Sequence, residues 1–98
     1  MFELRVAENG VIELRGRCDA ASVHELEDVL SRVDDTAVVD FRELAYISSD
    51  PLGVLFVAQR RLMAAKKELK LVNLSPHIRD VFNIAGFDKI FSIGETEA

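Results

Sequence analysis

Two adjacent serines, Ser48 and Ser49, stand between a predicted buried strand and a predicted helix, and Asp50 and Pro51 follow them. The free N–H groups and the dipole of a helix N-terminus favour an anion at such a position. A phosphate on Ser49 would add about −1.5 to −2 charges there. The residue types and their order alone favour a helix that Ser49 or Asp50 simply caps, with a phosphorylation site at Ser49 as the alternative.

The two histidines do not complete a catalytic pattern. His24 and His77 both fall in the first turns of predicted helices, where we expect solvated or capping side chains rather than a catalytic base. No nucleophile elbow, phosphate-binding loop or zinc motif occurs, and no His or Cys pair has metal-ligand spacing. We therefore expect no catalytic residue, no metal and no enzyme activity.

A cysteine and two aspartates are the other candidates for chemistry. We expect Cys18 to be an ordinary semi-buried cysteine, and a reactive thiol whose pKa is lowered by the charges of Arg15 and Arg17 is the alternative. Asp19 and Asp40 have the residue type of a paired-carboxylate site, but their spacing does not show whether they meet. No catalytic constellation follows from these residues.

The composition is that of a small acidic globular domain, which we expect to span residues 1–98. The chain has 98 residues, 49% of them hydrophobic and 30% charged, and its net charge is −5. An acidic chain is poorly suited to nucleic acid or to anionic membranes. A single cysteine suits a reducing compartment, so we expect a cytoplasmic protein. The apolar runs are far shorter than the ~20 residues that span a bilayer, which argues against membrane insertion.

The first half of the chain predicts a hairpin, a helix and a buried strand. Residues 2–6 and 11–14 read as strands joined by a turn at Asn9 and Gly10. Ser22 and Glu25 have the spacing of a capping box, and the apolar positions that follow predict a helix that ends near residues 34–35. Residues 37–41 are short and β-branched, as in a central strand.

The second half alternates helix and strand. A second helix is expected to start near residues 49–51, with Pro51 at its first position, and residues 69–74 are expected to form a strand. Ser75 and Pro76 predict the cap and start of a third helix, which Gly86 ends. Residues 87–93 form a last apolar strand or helix, and residues 94–98 a frayed tail. This order predicts an α/β fold: a mixed sheet of about four to five strands with helices packed on it.

Four segments together resemble the STAS domain, the fold of bacterial anti-sigma factor antagonists. They span nearly the whole chain: Leu14-x-Gly16-x-x-Asp19, Val38-Val39-Asp40-Phe41, Ile47-Ser48-Ser49-x-x-Leu52-Gly53 and Leu71-Val72-Asn73-Leu74. The resemblance implies that Ser49 is the serine that an anti-sigma factor serine kinase phosphorylates. It also implies that Asp19 is the loop aspartate beside that serine, with Ser48 and Asp50 as its other neighbours.

The resemblance also implies a binding mechanism. The unphosphorylated protein would dock on the kinase through the start of its second helix, and phosphate on Ser49 would abolish docking until a PP2C-type, metal-dependent phosphatase removes it. ATP would belong to the kinase, so no cofactor is expected in this chain. Leu52, Gly53 and Phe56 are the expected docking residues, with a place in the core as the alternative for Leu52 and Phe56.

The segment of residues 48–51 departs from the family pattern at three positions. Ser48 stands where the family has Asp, Asp50 where it has a second Ser, and Pro51 where it has Gly. These changes favour an alternative in which the chain is a constitutive STAS subunit of a larger assembly, such as a lipid-transporting ABC complex or a signalling scaffold, without a phosphoswitch. A small-ligand module has less support, because no glycine-rich phosphate loop is present.

Overall fold

Five strands form one mixed sheet in the computed structural model, which describes residues 1–94. The strands lie side by side in the order in which they occur along the chain. They are β1 (Phe2–Val6), β2 (Ile12–Cys18), β3 (Ala37–Ile47), β4 (Leu69–Val72) and β5 (Ser92–Gly94). The helices are α1 (Val23–Leu30), α2 (Ser49–Ala64) and α3 (Pro76–Ile84), with 3₁₀ turns at Ala20–Ser22 and Phe87–Lys89. The predicted α/β fold is confirmed.

The first two strands form the predicted hairpin. β1 and β2 are antiparallel, and the turn between them uses Gly10 at a φ of +86°, a conformation that glycine adopts without strain. A second glycine, Gly16, also has a positive φ, and a Cβ there would collide with the carbonyl oxygen of Met1. Gly16 therefore lets the start of the chain lie directly against β2.

The remaining strands are parallel, and each pair is joined by one helix. Successive crossovers of the same hand in a sheet of this order place their helices on one face. Burial agrees with this arrangement: along β2, Ile12 and Leu14 are buried whereas Arg15 is exposed. The opposite face of the sheet, here called the open face, carries ion pairs between Arg5 and Glu13 and between Arg15 and both Glu3 and Glu43.

The core lies between the sheet and the helices. Phe41 of β3 packs edge-on against Phe82 of α3, with ring centroids 5.8 Å apart, and Phe82 packs against Phe91 at 5.9 Å. Gln59 of α2 is buried as well, and its carboxamide accepts a hydrogen bond from Leu69 N–H (2.7 Å) and donates one to the Ile90 carbonyl (2.9 Å). These two bonds fix the middle of α2 to β4 and to the segment after α3.

Several predicted boundaries are wrong. α1 ends at Leu30 rather than near residue 34, and β3 continues six residues beyond the predicted end at Phe41, to Ile47. β4 ends at Val72, and Gly94 pairs with Val72 in β5 instead of starting a tail. The rest of the predicted tail, residues 95–98, lies outside the described residues. Hydrophobic patterning does not fix such ends, because the last residues of an element are decided by strand partners and packing.

Candidate functional site

The strand register brings Asp19 to the serine pair. β2 and β3 are parallel, and Cys18 at the end of β2 is opposite Ile47 at the end of β3. The Ser48 N–H donates a hydrogen bond to the Cys18 carbonyl at 3.0 Å. Because Asp19 and Ser48 each follow one of these paired residues, they lie side by side at the carboxyl ends of β2 and β3. We call residues 48–50 the junction.

Asp19 is held in place by its own loop. Its carboxylate accepts hydrogen bonds from Ala21 N–H (3.1 Å) and from the Ser22 hydroxyl (3.4 Å), and its N–H donates to Ser22 Oγ (3.5 Å). This reciprocal pair caps the 3₁₀ turn before α1. The predicted box between Ser22 and Glu25 is wrong, because Ser22 adopts helical angles and its side chain makes no cap bond to α1.

The start of α2 has no side-chain cap. Ser48 is the N-cap residue in an extended conformation, and its hydroxyl accepts no hydrogen bond from the helix. Ser49, the first helical residue, is exposed, as is Asp50. Within residues 1–94 neither of their side chains takes part in a hydrogen bond. The expectation that Ser49 or Asp50 caps the helix is therefore not realised in this structure.

Pro51 lies two residues further into α2 than predicted. It is the third helical residue and is buried, whereas the sequence predicts it at the first position. A proline is tolerated here because the first four N–H groups of a helix have no partner within the helix. The helix itself begins at Ser49, within the predicted range of residues 49–51, so only the position of Pro51 inside it differs.

The three expected docking residues have different surroundings. Leu52 is only 6% exposed and belongs to the core, which is the alternative given for it above. Phe56 is half-buried and stacks on Phe87 at a centroid distance of 5.4 Å. Gly53 is exposed. Gly53 and one edge of Phe56 thus remain available at the surface of α2.

A groove between α1 and α2 begins at the junction, and sequence reasoning missed it. Its volume is about 600 Å³, and Asp50 and Gly53 are among its lining residues. Its apolar lining includes Val54 and Val57, and Val57 is largely exposed. Arg61 lines the groove too, where its guanidinium donates to the Leu30 carbonyl at 2.8 Å. No motif marks this surface, because it depends on how two helices pack side by side.

Cys18 lies beneath the junction and is fully buried. Burial, with smaller contributions from the carboxylates of Asp19 and Glu25, raises the pKa of its thiol to about 12. The cysteine is thus buried and unreactive, and the alternative of a lowered pKa is contradicted, because alternate residues of a strand point to opposite faces. The guanidinium of Arg17 instead lies over the ring of Tyr46, 4.1 Å from its centroid.

The other candidates do not join the site. Asp40 is opposite Glu13, which precedes Asp19 by six residues, or about 20 Å of strand. Its carboxylate accepts from Arg42 N–H (2.9 Å) and the Asn73 side chain (3.0 Å), so the two aspartates do not form a pair. Both histidines, His24 and His77, are exposed. The structure holds no cluster of three metal-ligating side chains and no helix long and apolar enough to cross a membrane, as far as residues 1–94 are concerned.

Comparison with known proteins decides the family. The family model described as "Mlab, STAS domain" matches residues 3–94. The chain belongs to the STAS domain family. Its five-stranded sheet, with the junction at the carboxyl end of β3, has the fold of solved anti-sigma factor antagonist structures.

Named relatives of this STAS chain are bacterial. It is 36% identical over 87 residues to a Bordetella bronchiseptica protein named "Putative anti-sigma factor antagonist BtrV", covering 85% of this chain and 75% of that protein. It is 30% identical to the anti-sigma-B factor antagonist of Staphylococcus aureus, covering 86% and 82%. Among solved structures, the phosphorylated form of the Bacillus cell fate determinant SpoIIAA shares the fold, with a TM-score of 0.70, 24% identity and coverage of 99% and 93%.

Proposed function

We propose that this STAS chain is an anti-sigma factor antagonist that binds an anti-sigma factor serine kinase through the junction and is switched off by phosphate on Ser49. The names of the Bordetella and Staphylococcus relatives support the first part. The phosphorylated form of SpoIIAA, a protein of the same fold, supports the second. The chain acts in this scheme by binding rather than by catalysis. Because the kinase draws on ATP, the interaction belongs in the cytoplasm.

The proposal rests on the accessibility of the Ser49 hydroxyl. It is exposed, it stands at the first position of a 16-residue helix, and it is free of hydrogen bonds within residues 1–94. A kinase can therefore reach it without breaking an internal contact. The uncapped N–H groups of α2 would interact favourably with the added phosphate, as helix N-termini do with anions.

Charge explains why the phosphate would act as an off signal. The carboxylates around the junction are those of Asp19 and Asp50, and Glu25 is close enough to affect the thiol of Cys18. The five ion pairs in the described part of the chain lie on the open face, near the end of α1 and at Lys67. A phosphate on Ser49 would thus keep its charge exposed to the partner. A penalty of only ~1.4 kcal/mol at the interface weakens binding tenfold.

The partner surface follows from the same geometry. The kinase would contact the junction, Gly53 and the exposed edge of Phe56, and the adjoining α1–α2 groove would extend the contact with Val54 and Val57. A PP2C-type phosphatase would need only the junction, because the phosphate stands clear of the body of the domain. Ser48 and Asp19 would shape the site through their backbone and loop contacts.

The proposal is tested by locating phosphate on the native protein. Trypsin releases residues 43–60 as one peptide that contains Ser48 and Ser49, and fragmentation distinguishes the two serines. Phosphopeptide mass spectrometry is carried out on the protein isolated from its host in growth and under stress. We expect phosphate on Ser49 in an amount that changes with condition. Phosphate confined to Ser48, or its absence under every condition, would contradict the phosphoswitch.

The altered junction favours a second candidate, a constitutive subunit of a larger assembly. Asp50 already supplies a negative charge in the first turn of α2, and Pro51 restricts the backbone that a kinase has to grip. In that case the native protein is unphosphorylated and migrates in a stable complex under all conditions. Asp50→Ser addresses the same question, since it should raise the rate of phosphorylation if the Asp50 charge is what hinders the kinase.

A further inference from the structure

The outer edge of β1 is unpaired within residues 1–94, since β1 hydrogen-bonds only to β2. Ala7 N–H donates to the Val11 carbonyl and Arg17 N–H to the Met1 carbonyl, both at 2.9 Å. Hydrogen-bonded positions alternate along an antiparallel pair, so residues 3 and 5 also direct their N–H and C=O groups toward β2. Residues 2, 4 and 6 direct theirs outward, which leaves the edge with three free pairs of backbone groups.

The side chains of β1 separate cleanly into two kinds. Phe2 and Leu4 pack partly against the core, and Val6, on the same side, is 54% exposed. Glu3 and Arg5 project from the open face, where each forms an exposed ion pair with β2. Charged side chains often protect an edge strand from pairing. Here the two charges have opposite signs and stand two residues apart, on either side of Leu4.

We propose that β1 pairs antiparallel with β1 of a second copy of this chain, about a two-fold axis at Leu4. Leu4 then lies opposite Leu4 of the second copy, and Phe2 opposite Val6. These are the positions whose backbone groups point outward, so the seam gains three hydrogen-bonded pairs, or about six hydrogen bonds. The two five-stranded sheets become one continuous sheet of ten strands. The inference is independent of the function proposed for Ser49.

Charge selects this register. With Leu4 on the axis, Glu3 lies opposite Arg5 of the second copy at both sites of the seam, in the non-hydrogen-bonded positions where side chains are closest. A shift by two residues in one direction places Glu3 against Glu3, and in the other direction Arg5 against Arg5. Only the Leu4 register therefore brings opposite charges together while it also uses all the free backbone groups.

The existing ion pairs continue the pattern across the seam. Arg15 is 3.7 Å from Glu3 and 3.6 Å from Glu43, and Arg5 is 3.5 Å from Glu13. A row of charged side chains would thus cross the joined sheets. It contains Glu43, Arg15 and Glu3 of one copy, followed by Arg5 and Glu13 of the second copy. The signs alternate at every step, which makes the open face of β1 complementary to itself under two-fold symmetry.

The helix side of the seam gains apolar contact. Val6 would be covered by Phe2 of the second copy, so its exposed surface would leave water. Val6 also lines an apolar cleft of about 250 Å³ together with Val29 and Val33. A seam of five residues a side is small beside the ~20–30 residues of a stable interface. We therefore expect a weak dimer that forms reversibly and that salt weakens.

The test uses two charge-reversal variants, neither of which should form a homodimer, although the two should form a heterodimer with each other. Glu3→Arg places Arg opposite Arg at the seam, and Arg5→Glu places Glu opposite Glu, so each variant should sediment as a monomer at concentrations where the wild type dimerises. In an equimolar mixture, a heterodimer sets the two arginines of the Glu3→Arg strand against the two glutamates of the Arg5→Glu strand. Sedimentation of the mixture should return to the dimeric value.

The control is Lys89→Glu, which makes the same charge change as Arg5→Glu at an exposed position of the 3₁₀ turn before β5, at the opposite edge of the sheet from β1. It should leave the dimer unchanged. A wild type that stays monomeric up to millimolar concentration would overturn the proposal. So would single variants that dimerise as the wild type does, a mixture that remains monomeric, or a control as weakened as Arg5→Glu.

Discussion

Helices α2 and α3 both begin with a serine followed closely by a proline, yet their starts differ. At α3 the Ser75 hydroxyl accepts a hydrogen bond from Ile78 N–H at 3.2 Å, and Pro76 is the first helical residue. At α2 the Ser48 hydroxyl caps nothing, and Pro51 is the third helical residue. One start is closed by its own side chain, and the other leaves its hydroxyls and N–H groups to the solvent.

The difference arises from the spacing between serine and proline. When they are adjacent, the proline begins the helix and the serine becomes its cap, as at Ser75. When two residues intervene, as after Ser48, the helix begins between them, and the backbone of the serine is engaged by the neighbouring Cys18 carbonyl. The same residue types thus stabilise the start of α3 by a capping hydrogen bond and leave exposed hydroxyl and N–H groups, unbonded within residues 1–94, at the start of α2.

Side chains at the start of α2 are exposed, but the core beneath them should be closed to solvent. The reactivity of Cys18 tests this. The thiol directly beneath the junction is buried and its pKa is raised to about 12, so iodoacetamide should modify it on the order of 10³-fold more slowly in the folded than in the unfolded protein at pH 8. Mass spectrometry of timed samples gives both rates. Rapid labelling of the folded protein would show that the junction opens down to the core.

The same thiol predicts an alkaline pH dependence. Above pH 9 the unfolded chain releases the Cys18 proton, whereas the folded protein retains it up to about pH 12. The free energy of unfolding should therefore fall as the pH rises between these values. Cys18→Ala should remove that part of the slope in urea titrations, although it lowers stability at every pH. An unchanged slope would contradict the raised pKa.

A charge at Ser49 should act on binding. Ser49→Asp is expected to weaken binding to the host's anti-sigma factor kinase at least tenfold, or ~1.4 kcal/mol, whereas Ser49→Ala should bind as the wild type does. Isothermal titration calorimetry measures both. Ser92→Asp makes the same change at an exposed position of β5 and should have no effect. If Ser49→Asp binds normally, the junction is not the docking site.

The two N-caps should differ in stability when their hydroxyls are removed. Ser75→Ala is expected to lower the free energy of unfolding by about 1 kcal/mol, because the Ile78 N–H loses its partner. Ser48→Ala should change it by less than ~0.5 kcal/mol, because that hydroxyl makes no cap bond. Thermal unfolding followed by circular dichroism gives both values. Equal losses at the two positions would mean that Ser48 caps α2 in solution.

The smallest difference concerns the acid in the first turn, which α2 has and α3 lacks. Asp50→Asn should lower the free energy of unfolding by about 0.3 kcal/mol at low ionic strength, since the carboxylate is exposed and interacts with the helix dipole. The difference should vanish in 1 M NaCl, where such charges are screened. Urea titrations of both proteins at the two salt concentrations provide the measurement; persistence in salt would contradict the dipole explanation.

Local signals predicted the elements well wherever the local residues also decide the structure. The turn at Gly10 and the cap at Ser75 depend on backbone angles and on hydrogen bonds within four residues, and both predictions are confirmed. The Ser22–Glu25 box failed because a better N-cap residue, Asp19, stands three residues earlier. Aspartate is among the residues most favoured at N-cap positions.

The site was harder to predict than the fold. The sequence placed Ser49 at a helix start, but only the register of Cys18 with Ile47 shows how Asp19 lies beside it. The burial of Leu52 and the groove at Val57 depend on how α1 and α2 pack, which no local pattern records. Likewise, the backbone groups of Leu4 point outward because the odd-numbered residues of β1 are the ones that hydrogen-bond to β2, and the sequence does not show which set does so.

The order of the strands bears on how the chain folds during synthesis. Each strand leaves the ribosome next to the neighbour with which it will pair, so the sheet can grow in step with translation. The core forms later than the sheet. Phe41 cannot be packed until Phe82 has been synthesised, and Phe82 cannot be fully packed until Phe91 has. At ~5–20 residues per second, Phe82 is synthesised about 2–8 s after Phe41, and during that time part of the nascent sheet is paired but uncovered. During that interval its apolar surface is exposed to aggregation.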